Sequence, residues 1–223
     1  MTARALVAEL VGTFFLVLAI AGAGALDGAS PALSVALAAG LALAAATWAL
    51  GHVSGGHFNP AVTIGLIATG RFDSARAPAY MVAQVLGGAS AALLVSVTLA
   101  GAGSARTGSL ASLSNHYGAA GQFGLTAAFL IELAATALLL VVVVGATARR
   151  APAGFAPLAT GLAYAALMLV ALPVTGGSLN PARSTATALL GGAVPLAQLW
   201  VFWAAPILGG VIGGVIGRYL QEE

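Results

Sequence analysis

Long apolar runs separated by short polar breaks set the rhythm of this chain. A helix needs about 20 apolar residues to cross a hydrocarbon core of about 30 Å. Six stretches qualify, at approximately 4–26, 32–51, 77–100, 123–146, 155–172 and 197–219. Polar or helix-breaking segments at 27–31, 71–78, 101–122, 149–152 and 191–195 mark their ends. Two further apolar segments, 61–70 and 182–191, are too short to cross. Ten helical residues cover about 15 Å, half of the membrane. The pattern predicts an all-α membrane protein with six transmembrane helices and two half-membrane helices.

The two short segments follow matching stretches: Val53-Ser-Gly-Gly-His-Phe-Asn59-Pro60-Ala61 and Val174-Thr-Gly-Gly-Ser-Leu-Asn180-Pro181-Ala182. Ala8-Glu9-Leu10 before the first has its counterpart in Ile131-Glu132-Leu133 before the second. The chain therefore reads as a duplication of three spans plus a half-span. Three crossings is an odd number, so the second copy is inverted. A single transmembrane channel domain over 1–223 follows, with inverted repeats at approximately 1–100 and 120–223. Paired broken helices in such a repeat point to a permeation site at the midplane.

Asparagine is a preferred helix N-cap, and proline is preferred at the first helical position. Each Asn-Pro-Ala thus predicts a helix start buried in the membrane. Inversion brings the two starts together, each with the equivalent of about half a positive charge. The expected pore centre is Asn59, Pro60, Ala61, Asn180, Pro181 and Ala182, with free Asn59 and Asn180 amides facing a lumen. The Gly55-Gly56 and Gly176-Gly177 pairs are expected to allow extended backbone whose carbonyls line the pore, joined by His57 and Ser178. Irregular backbone at this depth is tolerable only beside protein or a water-filled cavity.

Composition sharpens this picture. Only 6% of residues are charged and 60% are hydrophobic, with mean hydropathy +1.03. A soluble domain carries roughly 25% charged residues. The eight basic residues are all arginines, scattered singly or in pairs between apolar spans, which argues against a nucleic-acid partner. With the N-terminus inside, Arg4, Arg71, Arg76, Arg149, Arg150 and Arg218 fall on the cytoplasmic side and Arg106 outside, a positive-inside pattern. Both termini are then cytoplasmic and the expected location is the cell (inner) membrane. Glu9 lies inside the first apolar run, which argues for a retained helix over a cleaved leader. The absence of cysteine excludes disulfides and thiol chemistry.

The sequence resembles the aquaporin, or major intrinsic protein, family over essentially its whole length. Residues 51–63 and 180–185 look most like bacterial water channels. The resemblance implies a homotetramer with one pore per subunit, and Glu9 and Glu132 bracing the half-helix loops. Independently, a carboxylate within a span costs about 2.5 kcal/mol or more, so both should face the bundle interior. The resemblance also implies a selectivity filter, which ungapped counting from the motifs assigns to Ala39, Met168, Gly177 and Arg183. Family water channels resemble Phe, His and a small residue with Arg there, and glycerol facilitators place two aromatics.

Alanine and glycine in place of large rings predict a wide constriction, with Met168 as one flexible apolar wall and Arg183 as donor and positive gate. That set is similar to channels for metalloid hydroxides such as arsenous or boric acid. The expected function is a passive channel for small uncharged polar solutes: metalloid hydroxides, glycerol-like polyols and water. The alternative is a water-selective pore, favoured by Ser184, Phe202-Trp203 and the short loop 101–122. His52 and His57 lack the convergent acids a metal site needs, and His116 is expected to be solvated. Gln84 and Gln198 are expected to bond between helices. No enzyme motif, cofactor or metal site is expected; the partners are water, small neutral solutes and the lipid bilayer.

Overall fold

The computed structural model describes residues 2–26, 31–101, 110–118 and 123–221. Arg106, the one arginine expected outside, lies beyond those residues. Three helices and a half-helix form the first copy: α1 (Ala3–Leu26), α2 (Pro31–Ser54), the short α3 (Pro60–Ala68) and α4 (Ala77–Gly101). A one-turn helix, α5 (Leu110–Leu113), precedes the second copy, α6 (Leu125–Ala146), α7 (Ala156–Thr175), α8 (Pro181–Gly191) and α10 (Val201–Gln221). The sixth span is thus divided: α9 (Ala193–Gln198) leads into α10 through a short break. Among the described residues, six helices are long and apolar enough to cross a membrane. At 9 and 11 residues, α3 and α8 reach about half-way.

Packing repeats the symmetry of the sequence. In the first copy α1 packs on α4 and α2, and in the second α6 packs on α10 and α7. Each half-helix crosses to the other copy, α3 against α10 and α8 against α4, while α2 and α7 meet on the axis between the copies. This is the inverted repeat, written as contacts.

Close approach is bought with small residues, as expected where lipid offers no hydrophobic drive between helices. On the axis, a Cβ on Gly40 would run into the Gly161 carbonyl oxygen, and one on Gly161 into that of Gly40. Gly87 on α4 lies against the Leu10 carbonyl, as Gly209 on α10 lies against that of Leu133. The outward faces stay apolar: Leu41, Val97, Leu130 and Leu162 are all exposed, as helices bathed in lipid require.

A residue with no room for a methyl should not accept an isopropyl group. Gly161→Val is expected to lose about 3 kcal/mol of stability, the upper end for overpacking, and to lower the thermal midpoint in detergent. Gly22→Val, at a glycine with nothing within 4 Å of a Cβ, should leave that midpoint nearly unchanged.

Candidate functional site

At the centre, each asparagine serves two masters. Asn59 caps α3 by accepting from the Ala61 amide at 2.8 Å, and Asn180 caps α8 by accepting from Ala182 at 3.0 Å and Arg183 at 3.3 Å. The side-chain nitrogens then cross between copies. Asn59 Nδ2 donates to the Leu179 carbonyl at 2.7 Å, and Asn180 Nδ2 to the Phe58 carbonyl at 2.9 Å. The expected free amides are therefore half committed, because one hydrogen of each ties the two loops together. Each amide nitrogen carries one further hydrogen beyond this bond. Pro60, Pro181, Ala61 and Ala182 are all buried at this junction.

The loops that deliver these caps are held by carboxylates. Glu9 Oε1 accepts from Ser54 Oγ at 2.6 Å and the His57 amide at 3.0 Å, while Oε2 accepts from the Phe58 amide and Gln84 Nε2, each at 2.7 Å. Glu132 does the same from the other side, accepting from Thr175 Oγ1 at 2.5 Å, Ser178 N at 2.9 Å and Leu179 N at 2.8 Å. Phe58 and Leu179 need this grip, since both have positive φ, 50° and 53°. That conformation costs a side-chain-bearing residue roughly 1–3 kcal/mol. Both glutamates are fully buried, and each bonds the loop that leads into a half-helix.

The glycine pairs differ from expectation. Gly55, Gly56, Gly176 and Gly177 have φ of 97°, 67°, 77° and 61°, and Gly176 with ψ of 11° is left-handed, not extended. Glycine is needed because the chain must turn sharply before each cap. His57 lines a cavity on the side of the chain termini, with Nδ1 3.0 Å from Thr63 Oγ1. Its counterpart Ser178 pairs with Ser184 at 2.5 Å. Gln84 bridges Glu9 and Thr63 as an interhelical donor, whereas Gln198 clamps the backbone of Tyr117 instead.

Two cavities approach the junction from opposite sides. One, of about 50 Å³, is lined by His57, Asn59, Val62 and Tyr164; the other, of about 540 Å³, opens beside His116, Gly176 and Arg183. Between them lie Ala39 and Met168, fully buried and within one apolar cluster. A Cβ on Gly177 would sit 2.9 Å from Met168 Sδ. The Met168 thioether thus packs directly against Gly177, in the space a side chain at that position would take. Neither Ala39, Met168 nor Gly177 lines either cavity.

Arg183 closes the larger cavity. It is 2% exposed, with Nη2 donating to the Gly176 carbonyl at 3.1 Å and Nη1 to Asn115 Oδ1. Asn115 was passed over in the sequence, where nothing distinguishes it from other loop polar residues. It is buried, accepts from Ser184 Oγ at 2.7 Å as well, and anchors itself by donating to the Thr175 carbonyl at 3.1 Å. His116 lines the same cavity, with Nδ1 3.0 Å from the Ser114 carbonyl oxygen, so it is less solvated than expected. Arg183 Nε is buried without a protein partner among the described residues.

Six spans and two half-helices, meeting end to end through crossed asparagines, define the fold of a membrane channel. The chain belongs to the major intrinsic protein family, whose model matches residues 1–217. It is 47% identical over 224 residues to Aquaporin Z of Rhodopseudomonas palustris, covering 97% of this chain and 92% of that protein. Identity is 46% over 227 residues to Aquaporin Z of Photorhabdus laumondii, covering 99% and 98%. Among solved structures, the aquaglyceroporin from Plasmodium falciparum superposes with a TM-score of 0.83 at 26% identity, covering 97% of this chain and 94% of that one.

Removing Asn115 takes one acceptor from Arg183 and one from Ser184 at once. Asn115→Ala is expected to cost about 1–3 kcal/mol through those lost hydrogen bonds, read as a lower thermal midpoint. Asn115→Asp keeps the acceptor and should retain most of that stability.

Proposed function

We propose that this chain is a passive water channel of the cell membrane, with both termini cytoplasmic, acting as a homotetramer with one pore per subunit. The observation that carries the water reading is Met168 packed against Gly177, which leaves less room at the filter than the small residues alone would. Relatives sharing 46–47% of the sequence and carrying the name Aquaporin Z support the same reading.

In this reading water enters the larger, outer cavity and meets Arg183, whose unpaired Nε–H is the first fixed donor. It passes Ala39, Met168 and Gly177 in single file and reaches Asn59 and Asn180. There the two remaining amide hydrogens hold one oxygen. The converging helix starts and the guanidinium put positive potential along this path, which opposes cations and protons. Glu9 and Glu132 do not touch the solute; they keep the loops of the two repeats, approximately 1–100 and 120–223, in register.

A second reading has its own support. Ala39 and Gly177 contribute almost no side chain, so Met168 alone fills the ring, and an unbranched thioether repacks easily. Movement of that side chain would admit glycerol-like polyols or metalloid hydroxides such as boric and arsenous acid. The likeness to a solved aquaglyceroporin agrees with it.

Liposomes subjected to osmotic jumps separate the two. Water flux well above that of empty liposomes, with slow entry of glycerol and boric acid, is expected for the first reading. Fast boric acid or glycerol entry, abolished in a Met168→His/Ala39→Phe double variant while water flux survives, would establish the second in its place.

A further inference from the structure

The inverted repeat makes a demand that the outer filter alone does not meet. Adding 121 to a residue number in α2 or its following loop gives its image in the second copy, as Asn59 gives Asn180. The Gly40–Gly161 crossing confirms that register in the fold, because each glycine abuts the other's carbonyl. Under the same operation the filter residues Ala39, Met168, Gly177 and Arg183 have images at Thr160, Thr47, Gly56 and Val62. All four images line the cavity on the side of the chain termini.

The packing of the two sets matches in detail. A Cβ on Gly177 would meet the end of Met168, and one on Gly56 would meet Thr47 Cγ2 at 3.2 Å. The chemistry differs. Where the outer set has a thioether and a guanidinium, this inner set has two hydroxyls and a valine, with no charge. Thr47 Oγ1 is buried and has no hydrogen-bond partner among the described residues, an unusual state for a polar atom at this depth.

We infer that Thr47, Thr160, Gly56 and Val62 form a second, neutral selectivity ring on the cytoplasmic side of the asparagine pair, whose threonine hydroxyls bind water and other small hydroxylated solutes. The inference rests on the channel reading above. The outer ring discriminates by charge and by the bulk of Met168. The inner ring discriminates by hydrogen bonding, since a solute leaving the central amides must exchange them for the threonine hydroxyls. A solute that offers no donor or acceptor finds only Val62 and a glycine there.

The test separates hydroxyl from methyl. Thr47→Val/Thr160→Val keeps the volume packed on Gly56 and deletes both hydroxyls. In liposomes it is expected to lower water permeability roughly threefold to tenfold, the factor set by hydrogen bonds of ordinary net strength. Thr47→Ser/Thr160→Ser restores the hydroxyls without the methyls and should rescue the flux. Wild-type flux from the valine pair, or equal loss from both pairs, would overturn the inner ring while leaving the channel reading standing. No water flux from the wild type itself would overturn the channel reading, and the inner ring with it.

Discussion

Two helix starts buried at the middle of a membrane govern the rest of this molecule. Helix termini leave amides without intrahelical partners, and hydrocarbon supplies none. The solution at Asn59 and Asn180 satisfies both ends at once, because each side chain caps its own helix and bonds across to the other loop. That arrangement requires the chain to turn into the cap with Phe58 and Leu179 at positive φ. The turn in turn requires an acceptor fixed beneath it, which Glu9 and Glu132 provide. The conserved look of the two copies is thus a consequence of one electrostatic problem solved twice.

Much of this was legible in the chain. Span number, half-helices and inverted order all follow from hydrophobic run length and from one duplicated motif, since burial, helix rise and capping are local rules. The filter was not legible in the same way. Counting from the motifs located Ala39, Met168 and Gly177 along the chain, but side-chain size at single positions does not say how neighbours fill the gap. The packing of an unbranched Met168 against Gly177 is such a case. Asn115 was hidden for a different reason: its importance comes from a loop folding back onto Arg183, a contact 68 residues apart in sequence. The positive φ of the glycine pairs was hidden as well, because a requirement for glycine fixes neither the sign of φ nor the direction of the turn.

The symmetry is close in backbone and broken in side chains, and the breaks fall along the path between the copies. Gly40 and Gly161, Gly87 and Gly209, Phe58 and Leu179 are equivalent in role as well as position. Their job is to let helices approach or loops turn, which depends on geometry that inversion preserves. His57 and Ser178, Val62 and Arg183, Thr47 and Met168 are equivalent in position alone. A perfectly symmetric pore would present either two guanidiniums or none. Two would place fixed positive charge at both mouths with no anion to offset it. None would leave cation exclusion to helix dipoles alone, which are worth about half a charge each.

Glu9 carries one partner that Glu132 lacks, and the difference shows how the two halves diverge without losing the scaffold. Gln84 on α4 donates to Glu9 and to Thr63, so the first loop is tied to a long helix as well as to its own backbone. The matching place on α10, three residues before its glycine as Gln84 is before Gly87, is Pro206, which has no donor. The second loop is compensated from the other direction. Ser178 pairs with Ser184, Ser184 with Asn115, and Asn115 with Arg183. A side chain from a spanning helix steadies one cap, and a side chain from the 110–118 segment steadies the other. The copy that carries Arg183 is therefore also the copy whose support comes from the loop beside it, so the position of that buried charge depends on how the loop is folded.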